Sequence, residues 1–436
     1  MSTASYQDQF AALASERKGP EWLPALRQAA MTRFAELGFP TTRNEDWHFT
    51  SVTPIAERTF KPVRAEKSSV TLDALSPYLF GAEDWHRLVF VNGRFDPALS
   101  MFAGLPAEVT VSTLADALKT QPELLVEELG KLAQYVEQPF TALNTAFMSD
   151  GVVIHVPADV VVEVPIHIVH VADSGAAGAA LYPRTLVRAD RHAQVTLVES
   201  FIGLDRATYL TNAVTELTVG EGAVVGHYKI QREAEDAYHV YTSQAIQAAT
   251  STYHAFSFAS GSALSRTNIY TRLNGAGAEG RLNGLYCLDG SQHCDHQTFV
   301  EHIAPNCASR ELYKGILDGS AHGVFNGKVY VDPEAQKTDG KQSNHTLLLS
   351  GTARIDSKPQ LEIFADDVKC THGATVGRLQ DIALFYLKSR GISAVSARAL
   401  LTYAFAAEVL ETIEVDAIRL GLEALVFERF TNGVPA

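Results

Sequence analysis

From about residue 151 to residue 376 the chain carries no helical period. Short β-rich runs follow one another there, punctuated by Gly, Asn, Asp and Ser. VVIHVP, VPIHIVHV, QVTLVESF, TELTV, AVVGHYKI, HVYTSQAI and TNIYTRL are examples. So long a stretch without helices leaves a sandwich or a solenoid. The segments favour the solenoid because they resemble one another. VRADRHAQVTLVES (187–200), LTVGEGAVVGHYKI (217–230) and FSFASGSALSRTNIY (256–270) each read as a β run, a small-residue corner and a second β run. The repeat is irregular, which predicts a right-handed parallel β-helix rather than a strict hexapeptide coil.

The flanks read differently. In EWLPALRQAAMTRFAELG, Leu23, Leu26, Ala30, Phe34 and Leu37 recur at helical spacing, and Gly38 supplies a stop. RLVFVNGRF (87–95) reads as a hairpin turning at Asn92-Gly93, and residues 112–148 read as helix. Three further helices are predicted after residue 377. The first puts Leu379, Ile382, Ala383, Tyr386 and Leu387 on one face and ends at Gly391; Ser393 or Ser396 caps the second. The expected division is a helical N-terminal domain (1–150), a β-helix core (151–376) and a helical C-terminal domain (377–436). The helices are expected to cap the open ends of the solenoid, since bare terminal strands recruit other chains.

Lys and Arg number 36 against 50 Asp and Glu, a net charge of −14, which disfavours nucleic-acid binding. The apolar stretch GVVIHVPADVVVEVPIHIVHVA is broken by His155, Pro157, Asp159, Glu163 and Pro165, so no membrane span is expected. MSTASYQDQF has neither the basic nor the apolar region of a signal peptide, so the expected location is the cytoplasm. In that compartment Cys287, Cys294, Cys307 and Cys370 are buried residues or useful thiols rather than a disulfide framework.

Chemistry concentrates in two places. In LEIFADDVKCTHGATVG (361–377), Cys370 and His372 are two apart, so a strand sets thiol and imidazole side by side. The pair suits a soft or borderline metal but supplies only two ligands. A buried thiol beside a hydrogen-bonded histidine is the alternative. CLDGSQHCDHQTFVEHIAPNC (287–307) holds Cys287, His293, Cys294, His296, His302 and Cys307, with no zinc-finger spacing. Asp366 and Asp367, read as neighbours on a strand, point to opposite faces and make a poor acid pair. The chain has no GxxxxGK[ST], GxSxG or HExxH. The polar segment 326–363 suits a sheet facing a partner, or a solvated edge.

FNGKVYVDPEAQKTDGKQSNHTLLLS, KPQLEIFADDVKCTHGATVGRL, LFYLKSRGIS and the helix Ala397-Arg398-Ala399-Leu400-Leu401 together resemble the SufB/SufD family of iron–sulfur cluster assembly scaffolds. PTTRNEDWHFT and FTALNTAF also resemble it, and the Cys370-Thr371-His372-Gly373 order is of the SufD-like form. The resemblance implies a non-catalytic scaffold in a complex with a SufB-like protein and two copies of a SufC-like ATPase. The edge near 340–376 would meet the SufB-like partner, where His372, with Cys370 beside it, would hold iron or a nascent cluster transiently. The helices after 377 would dock the ATPase through Leu384, Tyr386, Leu387, Arg390, Arg398 and Leu401. No stable cofactor is implied, and ATP would enter only through the ATPase. The sequence leaves open whether the lone chain pairs with itself. Two other readings remain at this stage: a polysaccharide-active β-helix enzyme, and a zinc-stabilised structural module around 287–307.

Overall fold

The computed structural model describes residues 3–13, 19–63, 69–82, 84–102 and 104–431. Its core is a solenoid with two walls of parallel strands. One wall runs, neighbour to neighbour, from Arg354–Ile363 through His322–Val331, His293–His302, Leu264–Leu273, Tyr238–Gln247, Leu210–Val219, Arg184–Ala189 and Gly151–Val156 to Thr110–Thr113. The other runs from Lys369–Gly377 through Asp339–Leu348, Ala308–Leu317, Glu279–Leu288, Thr252–Ala259, Val224–Arg232, Gln194–Gly203 and Ile166–Ala172 to the hairpin His86–Val91 and Arg94–Phe95. Chain order alternates between the walls, so each coil contributes one strand to each. A rung sits beside the next at offsets between 26 residues (Tyr238 beside Leu264) and 33 (Gly151 beside Arg184).

One corner of every coil is built alike. His192, Gly222, Thr250, Gly277, Asn306 and Lys337 all take left-handed φ between 56° and 73°. Each donates its N–H to the corner of the next coil, as His192 does to Glu221 O, Gly222 to Ala249 O and Asn306 to Gln336 O. Small residues follow and turn inward: Ala193, Ala223, Ser251, Ala278, Cys307 and Thr338 are all fully enclosed. Cys307 is thus one member of a stack of small side chains.

Apolar lumen residues such as Leu197, Val225, Leu282, Val300 and Phe325 form the central core. Each wall also carries a helical layer outside. Helices Ala4–Leu13, Trp22–Leu37 and Pro139–Phe147 pack Tyr6, Phe34, Leu143 and Phe147 against Tyr182, Leu210, Tyr238 and Leu264 of the first wall. A buried ion pair fastens this layer. Arg184 Nη2 donates to Glu216 Oε2 at 2.6 Å, and the same carboxylate accepts the N–H groups of Gly130, Leu132 and Ala133. Helices Ala394–Leu410 and Asp416–Thr431 lay Ala406, Val409, Leu410, Ile418 and Leu422 over Val198, Tyr228, Phe256, Leu285 and Ile316 of the second wall.

Two expectations change. Residues 112–148 are not one helical stretch: a strand ends at Thr113, and helices Leu114–Thr120, Pro122–Glu128 and Pro139–Phe147 are separated where Pro122, Gly130 and Pro139 interrupt the pattern. The C-terminal helices do not cap the solenoid. They lie along its flank, and the strands Arg354–Ile363 and Lys369–Gly377 stand last in their walls, each with one edge unpaired among the described residues. The Asn92-Gly93 turn forms as read, with φ of 49° and 74°. Gly38 and Gly391 end their helices and Ser393 caps Ala394–Leu410.

Candidate functional site at the open end of the solenoid

Cys370 and His372 lie on the edge strand Lys369–Gly377, paired in register with Gly340 and Gln342 of the strand beneath. Both face the lumen. Cys370 packs with Val329, Val331, Ala335 and Leu361, and its Sγ lies 3.4 Å from where a Cβ on Gly340 would stand. His372 follows on the same face and is exposed, because no further rung covers it. Burial pushes the Cys370 thiol up, so it keeps its proton at neutral pH until something displaces it. Lys369 donates its N–H to Thr338 O. In a parallel strand alternate residues bond to opposite sides, so Cys370, His372, Ala374 and Val376 turn their N–H groups outward, to an empty edge. Thiol, imidazole and a row of free backbone donors thus share one rim.

The rim continues outward in apolar surface. Val376 is 54% exposed, and helix Asp381–Ser389 has no buried residue, with Ile382 and Phe385 76% and 72% exposed. The amphipathic face read from sequence is therefore not turned inward. Leu384 and Leu387 are half-buried and Tyr386 is exposed; Arg390 stacks over the Tyr386 ring, with its guanidinium carbon 5.1 Å from the ring centre. Arg398 donates to Leu349 O at 3.2 Å, and Leu401 is half-buried on the second helix.

The cysteine- and histidine-rich stretch 287–307 is dispersed by strand alternation. Cys287 faces outward under the C-terminal helices. Cys294 and His296 face the lumen, 3.6 Å apart from Sγ to Nδ1, and burial pushes the thiol up to about 12. His302 bonds to Ser309 Oγ inside the lumen. His293 faces outward, bonding Thr50 Oγ1 at 2.9 Å and His322 Nδ1 at 3.1 Å, while His322 Nε2 donates to Asp356. Thr50 and Arg266 both donate to Asp295, and Arg266 lies 3.7 Å over the Trp47 ring. These groups fasten the 44–50 segment to the wall. Among the described residues, no group of three or more His, Cys, Asp or Glu is arranged to hold a metal. Asp366 and Asp367 lie in a turn rather than on a strand, and Asp367 pairs with Lys337.

A buried polar network in the lumen was not legible in the sequence. Glu199 accepts from Thr185, Thr215 and Tyr241 and bonds to His227, which holds its carboxyl down at about 2 despite complete burial. Lys229, on the next rung, donates to Thr267 and is held down at about 8 by burial. Which polar side chains meet in a lumen depends on coil register, and only the corner spacing hints at that.

A family model described as the SUF system FeS cluster assembly SufBD core domain matches residues 170–405. A second, described as the SufBD protein N-terminal region, matches residues 2–168. The chain belongs to the SufBD family. The core match contains the open rung with Cys370 and His372 and the exposed helix after it. Among SufBD relatives, an iron–sulfur cluster assembly SufBD-family protein of Synechocystis is 35% identical over 90% of this chain and 88% of its own length. The iron–sulfur cluster assembly protein SufD of Escherichia coli is 34% identical over 96% and 95%, and that of Bacillus subtilis is 26% identical over 96% and 97%. No helix among the described residues is long and apolar enough to cross a membrane.

Proposed function

We propose that this chain is the SufD-type scaffold subunit of an iron–sulfur cluster assembly complex, working in the cytoplasm with a SufB-like protein and two copies of a SufC-like ATPase. The observation that carries the reading is the rim: a lumen-facing thiol and imidazole on an edge strand whose outward backbone donors are free. A partner strand added there would bury Cys370 and His372 between two chains and bring its own ligands to them. Iron or a nascent cluster is cargo at that seam, and this chain keeps no cofactor of its own. Thiolates hold iron–sulfur clusters tightly; an imidazole shifts the balance and eases transfer onward. The apolar face of helix Asp381–Ser389, with Leu384, Tyr386, Leu387, Arg390, Arg398 and Leu401, is assigned to the ATPase, which supplies ATP hydrolysis that this subunit does not perform.

The test is co-purification of the tagged chain, intact and as Ala374→Pro, with a SufB-like protein and a SufC-like ATPase. Proline at 374 removes an outward N–H and no ladder bond. Capture of both partners by the intact chain, and loss of the SufB-like one alone in the variant, is expected. Failure of the intact chain to retain either would sink the reading.

A further inference from the structure

Glu311, Gln342 and His372 stand in register on three consecutive rungs and face the lumen as one column. Glu311 and Gln342 are enclosed, with exposures of 4% and 1%. Gln342 Nε2 donates to Glu311 Oε1 at 3.0 Å, while Gln342 Oε1 is buried without a hydrogen-bond partner. The opposite wall is bare at Gly327, where a Cβ would stand 2.3 Å from Gln342 Nε2, so the amide has been given space across the lumen. An ionised carboxylate only accepts hydrogen bonds, so above its titration Glu311 selects the NH2 end of the amide. The trigonal amide then turns its oxygen to the other side. That side is the next rung, about 4.8 Å away, which carries His372.

We propose that Gln342 is a positioning residue for His372: its carbonyl oxygen accepts a hydrogen bond from the N–H of one ring nitrogen, and the other nitrogen presents its lone pair to the mouth of the solenoid. Glu311 sets the direction of the amide and acts through it. The assignment rests on the reading of His372 as a metal ligand at the seam and adds what prepares it. The bond made by the far nitrogen of a ligating histidine fixes tautomer and ring orientation, and a freely rotating imidazole at an open rim has neither.

The test uses the full chain with 15N-labelled histidine, at a pH where both Glu311 and histidine have lost their protons, with the His372 signals identified by their loss in His372→Gln. One N–H-type and one lone-pair-type ring nitrogen are expected, marking a single tautomer. Gln342→Met, similar in size but without the amide, should average the two signals. Glu311→Gln should average them too, because an amide at 311 accepts either end of Gln342. Gly327→Ala, which keeps Gln342 but displaces its amide, is the second route if Gln342→Met does not fold. His372 signals identical in the intact chain and in every folded variant would overturn the assignment. Cobalt(II) titration of the complex with the SufB-like partner separates this from failure of the ligand reading. Gln342→Met should weaken cobalt binding about tenfold. Unchanged affinity in His372→Ala would remove the ligand reading while leaving the tautomer result intact.

Discussion

A thiol and an imidazole two residues apart on an interior strand would be ordinary core groups; on the last rung no further coil covers them. Cys370 has its floor from Gly340 and its walls from Val329 and Leu361, but no roof. His372→Ala is therefore expected to leave partner capture intact and to lower cluster formation in the complex by about tenfold or more, read from the visible absorbance of the reconstituted complex. Glu311 permits a different prediction. Burial holds its carboxyl up at about 7, against 4.5 when free. The folded chain then keeps a proton that the unfolded chain loses between those values. The resulting stability is fully present below pH 4.5 and is lost as the pH rises through 7. Glu311→Gln should flatten that fall and be more stable than the parent at pH 8, by on the order of 3 kcal/mol. Urea unfolding at pH 5 and pH 8 measures both. At this scale the sequence was half legible. The spacing of Cys370 and His372 placed them on one face, but not on the lumen face. The same alternation scattered Cys287, His293 and Cys294, which proximity in sequence had grouped.

Among elements, the β runs and their corners were readable because each corner needs a left-handed residue followed by a small one, as in His192-Ala193, Gly222-Ala223 and Gly277-Ala278. Helix Asp381–Ser389 was readable as a helix with an apolar stripe, but not as one left wholly uncovered. Periodicity reports that a stripe exists, not what covers it. Ile382, read as part of that stripe, stands out to solvent, and so does Phe385, which the sequence reading had not singled out. Phe385→Glu should abolish capture of the SufC-like ATPase. The same change should move the thermal midpoint of the isolated chain little, since exposed positions usually contribute within about 0.5 kcal/mol.

For the whole molecule, the solenoid was predicted as a class, and the fate of its ends was not. Capping was expected from the general danger of bare strands. The helices instead cover a wall, where Val198, Tyr228, Phe256 and Ile316 would otherwise be exposed. No sequence pattern distinguishes a helix that covers an end from one that covers a side, because both need an apolar stripe. Hydrogen exchange on the free chain should find the amides of Arg354–Ile363 and Lys369–Gly377 least protected among the strands, and protected once the SufB-like partner is added. Unchanged exchange there would place the partner elsewhere.

The two unpaired edges have a mechanical meaning. Both walls end at one level, so a joint made there is two short ladders side by side, every bond pointing along the axis of the solenoid. Tension along that axis spreads over all the bonds at once, and the joint is stiff. A twist that lifts one wall first loads the bonds in turn, like a zipper, and a small torque opens what a straight pull would not.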